Sequence, residues 1–230
     1  MDVRNGTSIY AEDVLTIPNK GMNEILRDKH IYKYVKRFLD FTLSLLGLII
    51  LSPVFLIISI LIKKESEGPV FFKHKRIGKN GKEIYLYKFR SMVPNAEELI
   101  KKFTPEQMKE FKENFKLEND PRITKVGKWL RKTSLDELPQ LINILKGELS
   151  IIGPRPVIAE ELEKYGNNKE KFLSVTPGLT GYWAANGRSN TTYEQRMQME
   201  LYYVDNISFK MDLKIFIKTI LSVIKKEGAI

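Results

Sequence analysis

A long apolar stretch fills residues 35–64, which read VKRFLDFTLSLLGLIILSPVFLIISILIKK. About 25 residues of helix, each rising about 1.5 Å, are enough to cross a hydrocarbon core about 30 Å thick. The buried helix of a soluble protein is seldom so long and so uniformly apolar. The stretch therefore predicts a segment that enters a lipid bilayer.

The path of this segment depends on its proline and on its flanking charges. Pro53 removes one helical hydrogen bond and predicts a break, and the hydroxyl of the preceding Ser52 can satisfy a freed carbonyl. Basic residues flank both ends, whereas a spanning helix normally has its basic flank on the cytoplasmic side alone. We therefore expect a re-entrant helix–break–helix that enters and leaves by the same face. A kinked spanning helix is the alternative.

The net charge of the chain limits the classes of partner that it can bind. Its 230 residues include 38 Lys and Arg against 28 Asp and Glu, a net charge of +10. Such a balance suits nucleic acid, an anionic membrane or a polyanionic substrate, and the apolar stretch favours the membrane, with no nucleic-acid partner. The chain has no cysteine and 2 histidines, which excludes disulfides and disfavours zinc. Any metal ion would have oxygen ligands, as Mg²⁺, Mn²⁺ and Ca²⁺ do.

The remaining chain predicts an α+β fold dominated by helices. Residues 69–78 and 82–92 alternate around Lys79-Asn80-Gly81 and indicate a β-hairpin. A capping box at residues 104–107 starts a helix. Residues 209–226 carry an apolar stripe opposite lysines, which is typical of a helix in the headgroup plane or of one packed on its own domain. The predicted fold is thus a re-entrant membrane segment, a small β-hairpin or sheet, and surrounding amphipathic interfacial helices.

Asp136 and Glu137 form an acidic pair in a basic stretch of the chain. Ser134 and Glu137 fit a capping box that would begin a helix at Ser134. Pro139 would then disturb that helix, so the helix could instead begin at Pro139 with both acids on the preceding turn. Acids at a helix start are common because they complement the helix dipole. Phosphate also binds at this positive end, and two close carboxylates raise one pKa unless cations compensate.

Several motifs together resemble the bacterial sugar transferase family, the monotopic phosphoglycosyl transferases that begin glycan assembly on polyprenyl phosphate. They are KFRSM at residues 88–92, LRKTSLDELPQ at 130–140, GPRP at 153–156, Ser52-Pro53, PGLTG at 177–181 and NGR at 186–188. The likeness extends over roughly residues 33–226. Residues 1–32 are expected to be an N-terminal extension, 33–64 the re-entrant membrane hairpin, and 65–230 a catalytic domain on the cytoplasmic face.

The resemblance implies a reaction. A UDP-sugar would donate its sugar phosphate to polyprenyl (undecaprenyl) phosphate, releasing UMP, in the first membrane step of exopolysaccharide, capsule or glycoconjugate assembly. Asp136 would be the nucleophile of an aspartyl-phosphosugar intermediate, and Glu137 would bind Mg²⁺. Arginine matches phosphate oxygens bidentately, and the cations proposed for substrate binding are Lys88, Arg90, Arg131, Arg155 and Arg188.

The resemblance also implies a place and partners. The protein would be monotopic on the cytoplasmic face of the bacterial inner membrane, in contact with anionic lipid headgroups. Downstream glycosyltransferases are candidate partners, and the oligomeric state, a homodimer included, is left open. A non-catalytic membrane-surface module is the alternative function, but it leaves the acidic pair and the rigid Arg155 turn unexplained. A span-anchored glycosyltransferase that moves sugar without phosphate does not fit the motifs.

Overall fold

The computed structural model describes residues 30–114, 117, 120–187 and 191–225. Most of the predicted N-terminal extension, residues 1–29, lies outside the described residues. The helices and strands are, in chain order, α1 (His30–Glu65), β1 (Phe71–Ile77), β2 (Glu83–Phe89), α2 (Ala96–Ile100), α3 (Pro105–Asn114), α4 (Lys125–Thr133), α5 (Gln140–Lys146), β3 (Ser150–Ile152), α6 (Ala159–Glu163), α7 (Lys169–Leu173), β4 (Gly178–Thr180), α8 (Tyr182–Asn186), α9 (Tyr193–Asp205) and α10 (Phe209–Lys225). The helix-dominated fold with a long apolar first helix and little sheet is confirmed.

The apolar stretch forms α1, a helix of 36 residues that contains Pro53. Within the described chain it is the one helix long and apolar enough to cross a membrane. The Ser52 Oγ donates to the Ile49 carbonyl at 2.8 Å, and this is the carbonyl that Pro53 leaves without its helical donor, as the sequence predicted. The predicted break stays a prediction, because a bend at a proline is compatible with an unbroken helical assignment.

The N-terminal half of α1 forms hydrogen bonds to the domain that the residues after α1 build. The Arg37 guanidinium donates to the Ile144 carbonyl at 2.5 Å and to the Leu145 carbonyl at 2.6 Å, at the end of α5. The buried Asp40 accepts from the Ile151 N–H of β3 at 3.0 Å. This explains an ionisable residue inside an apolar run, since its carboxylate satisfies a backbone donor of the domain.

The C-terminal half of α1 packs on the same domain. Ile58 and Ile62 are buried together with Phe89 at the end of β2 and Leu130 of α4. Farther along, the Glu65 carboxylate accepts from two backbone N–H groups at the start of α4, at 2.6 and 3.0 Å. Both ends of the apolar helix are therefore attached to one domain.

Strands β1 and β2 form the predicted hairpin, with Phe71 opposite Phe89 and a 3₁₀ turn at Lys79–Gly81. The buried Asn143 of α5 attaches this hairpin to the rest of the domain. Its side-chain amide donates to the Tyr85 carbonyl at 2.8 Å and accepts from the Tyr87 N–H at 2.9 Å. These two hydrogen bonds to the backbone set where the last residues of β2 lie relative to α5.

Strands β3 and β4 pair in parallel, with Ser150 beside Gly178 and Ile152 beside Thr180. The pairing continues as the Gly153 N–H donates to the Thr180 carbonyl at 2.9 Å. A side chain at Gly153 or Gly178 would overlap the backbone of the neighbouring strand. The GPRP turn and the PGLTG loop, distant in sequence, are thereby held against each other.

The helix start predicted at residues 104–107 is confirmed. Thr104 and Gln107 exchange bonds between side chain and backbone at 3.2 and 3.0 Å, which forms the capping box that begins α3. Thr192 and Gln195 form the same arrangement at the start of α9. Helix α10 buries Ile215 against the domain and exposes an apolar stripe of Phe209, Leu213, Phe216, Ile217, Ile220 and Leu221.

Candidate active site

The acidic pair lies on a 3₁₀ turn, Leu135–Glu137, between α4 and α5. Ser134 adopts the left-handed conformation, with φ 56°, and ends α4, and its side chain makes no capping bond. The capping box predicted from Ser134 is wrong, because a left-handed residue terminates a helix and does not begin one. The alternative is correct: both acids stand on the turn before the helix, and α5 follows Pro139.

The Asp136 carboxyl is half-buried and its pKa is displaced. Burial raises this pKa to about 6, the Lys88 ammonium opposes that rise, and the adjacent Glu137 adds to it. Arg131 also lowers the pKa by a smaller amount. The carboxylate is therefore poorly hydrated yet surrounded by cations, a combination frequent at reactive sites.

Lys88 projects from β2 and pairs with Glu137, its Nζ lying 2.5 Å from Oε1. The two side chains are 20% and 31% exposed, so the pair is open to a ligand. Arg131 of α4 donates its Nε to the Ser91 hydroxyl at 2.9 Å and acts electrostatically on Asp136. Two of the five cations predicted to bind substrate therefore lie beside the acidic pair.

A cleft opens next to this pair. Its wall comes from β2, the 3₁₀ turn, the GPRP turn, the PGLTG loop and α8–α9. The charged side chains that line it are Arg76, Lys88, Glu137, Arg155 and Glu200. Asp136 precedes Glu137 and is not among the residues of the cleft wall, so it lies at the edge of the cleft.

Arg76, at the end of β1, belongs to the site although the sequence did not single it out as a binding residue. Burial lowers its pKa to about 10, and the nearby Arg155 and Arg196 lower it as well. The adjacent His74 accepts from Arg76 at 2.6 Å. Burial and the charges of Arg76, Lys88 and Arg155 lower the pKa of His74 to about 4, so this imidazole is neutral and the cleft strongly positive.

Trp183 of α8 contacts two of these guanidinium groups. The Arg155 guanidinium carbon lies 5.8 Å from the Trp183 ring centroid, and that of Arg196 lies 4.9 Å away. An indole ring attracts cations through its negative face. The ring therefore holds the Arg155 guanidinium beside the cleft, whereas Arg196 pairs with Glu161 at 3.1 Å and does not line it.

Glu200 of α9 is buried, with 1% of its surface exposed, and lines the floor of the cleft. Its Oε1 accepts from the Arg155 N–H at 3.1 Å, while Oε2 has no hydrogen-bond partner among the described residues. Burial raises its pKa to about 7, although the Arg155 N–H and Arg196 oppose this. Sequence reasoning missed Glu200, because a single glutamate on an amphipathic helix carries no local signal of burial.

Glu200→Gln should flatten the pH dependence of stability. Because the pKa of Glu200 rises from 4.5 to about 7 on folding, the folded protein binds the proton more tightly. Its free energy of unfolding then falls as pH rises from about 4.5 to about 7, by about 3 kcal/mol. Denaturant unfolding at pH 5 and pH 8 should show a larger fall in wild type than in the variant, in which the raised pKa of Asp136 still contributes a smaller fall. Glu163→Gln, at an exposed ion pair, should behave as wild type, and parallel profiles for all three proteins would contradict the burial argument.

Arg90 and Arg188 are not in the cleft wall. Arg90 is 7% exposed and its guanidinium donates to the Glu67 carbonyl at 2.5 Å and to the Ser66 carbonyl at 2.8 Å. Arg90 follows the last residue of β2, so strand alternation does not fix its direction, and its guanidinium points toward the segment that follows α1. Arg188 lies outside the described residues.

Arg90→Gln should therefore lower stability and leave substrate binding unchanged. The variant leaves the carbonyls of Ser66 and Glu67 without their charged donor, a loss of about 2–3 kcal/mol. Thermal unfolding in detergent and the KM for the sugar donor measure the two effects separately. Arg155→Gln, at an exposed position on the cleft, should do the reverse. A raised KM with unchanged stability in Arg90→Gln would return Arg90 to the binding site.

The residues at the acidic pair fit the predicted Mg²⁺. The described chain holds no group of three or more His, Asp or Glu side chains of the kind that encloses a metal ion. Mg²⁺ differs from zinc here, since it commonly binds through one or two carboxylates together with substrate phosphates and water. The exposed part of Glu137 and the neighbouring cationic cleft provide such an arrangement.

The fold and the site together define a chain with one long apolar helix and an acidic turn beside a cationic cleft, among the residues that the structure describes. It belongs to the bacterial sugar transferase family, whose sequence profile matches residues 31–226.

Curated relatives agree with this placement. The undecaprenyl-phosphate galactose phosphotransferase of Salmonella typhimurium is 41% identical over 204 residues, which cover 87% of this chain and 43% of that protein. The UDP-glucose:undecaprenyl-phosphate glucose-1-phosphate transferase of Escherichia coli is 38% identical over 212 residues, 88% of this chain and 41% of its own. The chain spans less than half the length of these two relatives. The exopolysaccharide production protein ExoY of Sinorhizobium fredii is 44% identical over 84% of this chain and 87% of its own.

Proposed function

We propose that this protein transfers a sugar phosphate from a UDP-sugar to polyprenyl phosphate, releasing UMP and leaving a polyprenyl-diphosphate sugar. The observation that carries the proposal is the acidic turn at the edge of a cleft lined by arginine and lysine. Phosphoryl transfer needs a placed nucleophile and cations around the phosphates, and this site offers both. The names of the two undecaprenyl-phosphate relatives describe the same kind of transfer.

In the first half of the reaction, an Asp136 carboxylate oxygen attacks the β-phosphorus of the donor. The bond from that phosphorus to the bridging oxygen breaks, and UMP leaves with the electron pair. The product is an aspartyl phosphosugar. Above its pKa of about 6 the carboxyl is ionised, and its partial burial leaves it with little water to lose before attack.

In the second half, an oxygen of polyprenyl phosphate attacks the same phosphorus. The bond to Asp136 breaks and the carboxylate is restored, so the two substrates react in turn at one group. No proton need be lost by Asp136 in this step, because the lipid phosphate attacks as an anion. The Asp136 carboxylate thus acts twice within each cycle, first as the attacking group and then as the leaving group.

The cations of the cleft have separable duties. Arg76 and Arg155 would bind the diphosphate of the donor through charge-assisted hydrogen bonds. The Trp183 ring, which contacts Arg155, would hold that arginine in place. Lys88 would exchange its bond to Glu137 for a phosphate oxygen when the donor arrives. Arg131, bonded to Ser91, would keep Asp136 ionised in its half-buried place.

Glu137 would hold Mg²⁺. When bound there, the ion would neutralise negative charge on the diphosphate and on the departing UMP. In the structure, the Lys88 ammonium lies beside Oε1 of Glu137, so a cation already holds this carboxylate in place before Mg²⁺ would bind.

The apolar helix is proposed to be re-entrant, with residues 33–64 as the membrane hairpin and 65–230 as the catalytic domain. Two contacts support this: Arg37 bonds the end of α5, and Ile62 is buried against α4. A straight helix that crossed the bilayer would carry one of these two ends about 30 Å away from a domain on the other side. The flanking lysines and Arg37 would then all face the cytoplasm.

Helix α10 is proposed to lie at the membrane surface. Leu213 and Ile217 are 60% and 49% exposed, while Ile215 on the other side is buried in the domain. An exposed apolar stripe on a helix with lysines beside it is typical of an interfacial helix. This arrangement would keep the cleft near the depth of the lipid phosphate acceptor.

UMP release tests the proposal directly. The full chain in nanodiscs would be given UDP-galactose, UDP-glucose and N-acetylated UDP-sugars, each with and without polyprenyl phosphate and Mg²⁺. We expect UMP with one donor or a few, and polyprenyl-diphosphate sugar as the second product. Release of UDP would show transfer of sugar without phosphate and overturn the proposal. Lipid binding with neither nucleotide released from any donor would favour the non-catalytic module.

A further inference from the structure

A second cavity, of about 240 Å³, lies between the N-terminal end of α1 and the β3–β4 side of the domain. It shares no lining residue with the catalytic cleft. Neither the acidic pair nor any cation assigned to the reaction contributes to it. The proposed reaction therefore leaves this cavity unexplained.

The rim of the cavity is cationic. Four cations line it, Lys33, Lys36, Arg37 and Lys79, against the single carboxylate of Asp40. Of these, Lys36 is neutralised by Asp212 at 2.7 Å. Asp40 is engaged by the Ile151 N–H at 3.0 Å.

Three positive charges remain without a carboxylate partner. Lys33, Arg37 and Lys79 form no ion pair with any residue that the structure describes. Burial lowers the pKa of Lys79, and so does the charge of Lys33, which shows that the two ammonium groups repel each other. Like charges held together in this way favour an anion between them.

The floor of the cavity is apolar. Leu149, Ile152 and Ile207 are 1%, 6% and 7% exposed, and the Tyr203 ring lies beside them. Inorganic phosphate or a nucleotide would gain nothing from such a surface. A hydrocarbon chain would gain the free energy of leaving water or displacing it.

The position of the cavity agrees with both features. Lys33 and Arg37 stand at the start of the apolar stretch, where the exposed Phe38, Leu39 and Phe41 begin. Cations followed by apolar side chains mark the level of lipid phosphates on a membrane-inserted helix. The rim would therefore face headgroups and the floor would be continuous with the hydrocarbon region.

We propose that this cavity binds one anionic phospholipid, with its phosphate between Lys33 and Lys79 and part of an acyl chain on the apolar floor. The inference rests on the membrane attachment proposed above and not on the transfer reaction. The lipid would join α1 to the domain at the membrane surface, on the side away from the catalytic cleft.

Retention of lipid tests the site. The full chain would be reconstituted in phosphatidylcholine nanodiscs that contain phosphatidylglycerol, extracted into detergent, and weighed intact by native mass spectrometry. Wild type should retain one phosphatidylglycerol in preference to phosphatidylcholine. Lys33→Gln/Lys79→Gln should weaken retention about 30-fold, since each lysine near a lipid phosphate contributes about fivefold.

A matched pair at the other end of α1 provides the control. Lys63→Gln/Lys64→Gln removes the same charge from exposed positions that do not line the cavity, and it should retain the lipid. Equal losses in both double variants would show diffuse attraction to the membrane and overturn the site. Equal retention in all three proteins would also overturn it. Binding of glycerol phosphate as tightly as the lipid would identify a soluble phosphate ester as the ligand. The readout does not use turnover, so failure of the proposed reaction would leave it unaffected.

Discussion

Asp136→Asn is expected to lower the rate of UMP release at least about 10,000-fold, the usual scale for removing a covalent nucleophile. The amide has the shape of the carboxyl, but its nitrogen and oxygen cannot attack phosphorus. Because the side chain is only half-buried, the substitution should leave the fold intact. UMP release with the preferred donor in nanodiscs measures the loss.

The covalent step has a second readout. Wild type mixed with the donor and no lipid acceptor should release at most one UMP per protein and gain the mass of one sugar phosphate. Asp136→Asn should show neither change, while Glu163→Gln, an exposed acid in an ion pair with Lys169, should match wild type. Turnover of Asp136→Asn at the wild-type rate would disprove the aspartyl intermediate.

Glu137→Gln is expected to lower UMP release about 100- to 1,000-fold, the range seen when one electrostatic stabiliser of a transition state is lost. The neutral amide binds Mg²⁺ more weakly than a carboxylate does. The Mg²⁺ concentration for half-maximal rate should therefore rise together with the loss of rate. A titration with Mg²⁺ at saturating donor measures both.

Lys88→Gln separates the metal role of Glu137 from its ion pair. It breaks the same 2.5 Å contact but keeps the carboxylate, so the Mg²⁺ requirement should stay near that of wild type while the KM for the donor rises. If Glu137→Gln behaves as Lys88→Gln does, Glu137 only positions the lysine. In that case the metal has to be placed elsewhere.

Local patterns predicted much of the fold. The apolar run of α1, the alternation of the β1–β2 hairpin and the capping box of α3 depend on neighbours within a few residues. Such signals are visible in a sequence because the physical cause is itself local. The bond from Ser52 to Ile49 could be foreseen for the same reason.

The acidic turn was only half determined by local pattern. Ser134 to Glu137 satisfies the residue preferences of a capping box, yet Ser134 is left-handed because α4 ends there. Near this end of α4, Arg131 donates to Ser91, two residues after β2, and this is a tertiary contact that local pattern does not contain. Pro139 was the sequence signal that favoured the structure's answer.

The second half of the cleft could not be predicted. Arg76 and Glu200 are 124 positions apart and meet there only because the hairpin, the GPRP turn and α9 converge. Arg90 shows a related case, since alternation would put it on the same face as Lys88, yet it follows the end of β2 and its guanidinium bonds to the carbonyls of Ser66 and Glu67. Proximity in sequence was a poor guide beyond the end of the strand.

The Glu65 carboxylate, which caps α4, gives that short helix a mechanical meaning. One end of α4 is fixed to the last turn of the apolar helix α1, and the other end leads through Ser134 into the turn that bears Asp136. The nine residues of α4 rise about 13 Å, and a helix of that length is stiff. In the proposed reaction, α4 would fix the distance between the membrane attachment and Asp136. The depth of Asp136 relative to the lipid would then follow from the length of this helix, and would match a lipid phosphate that stays at one depth.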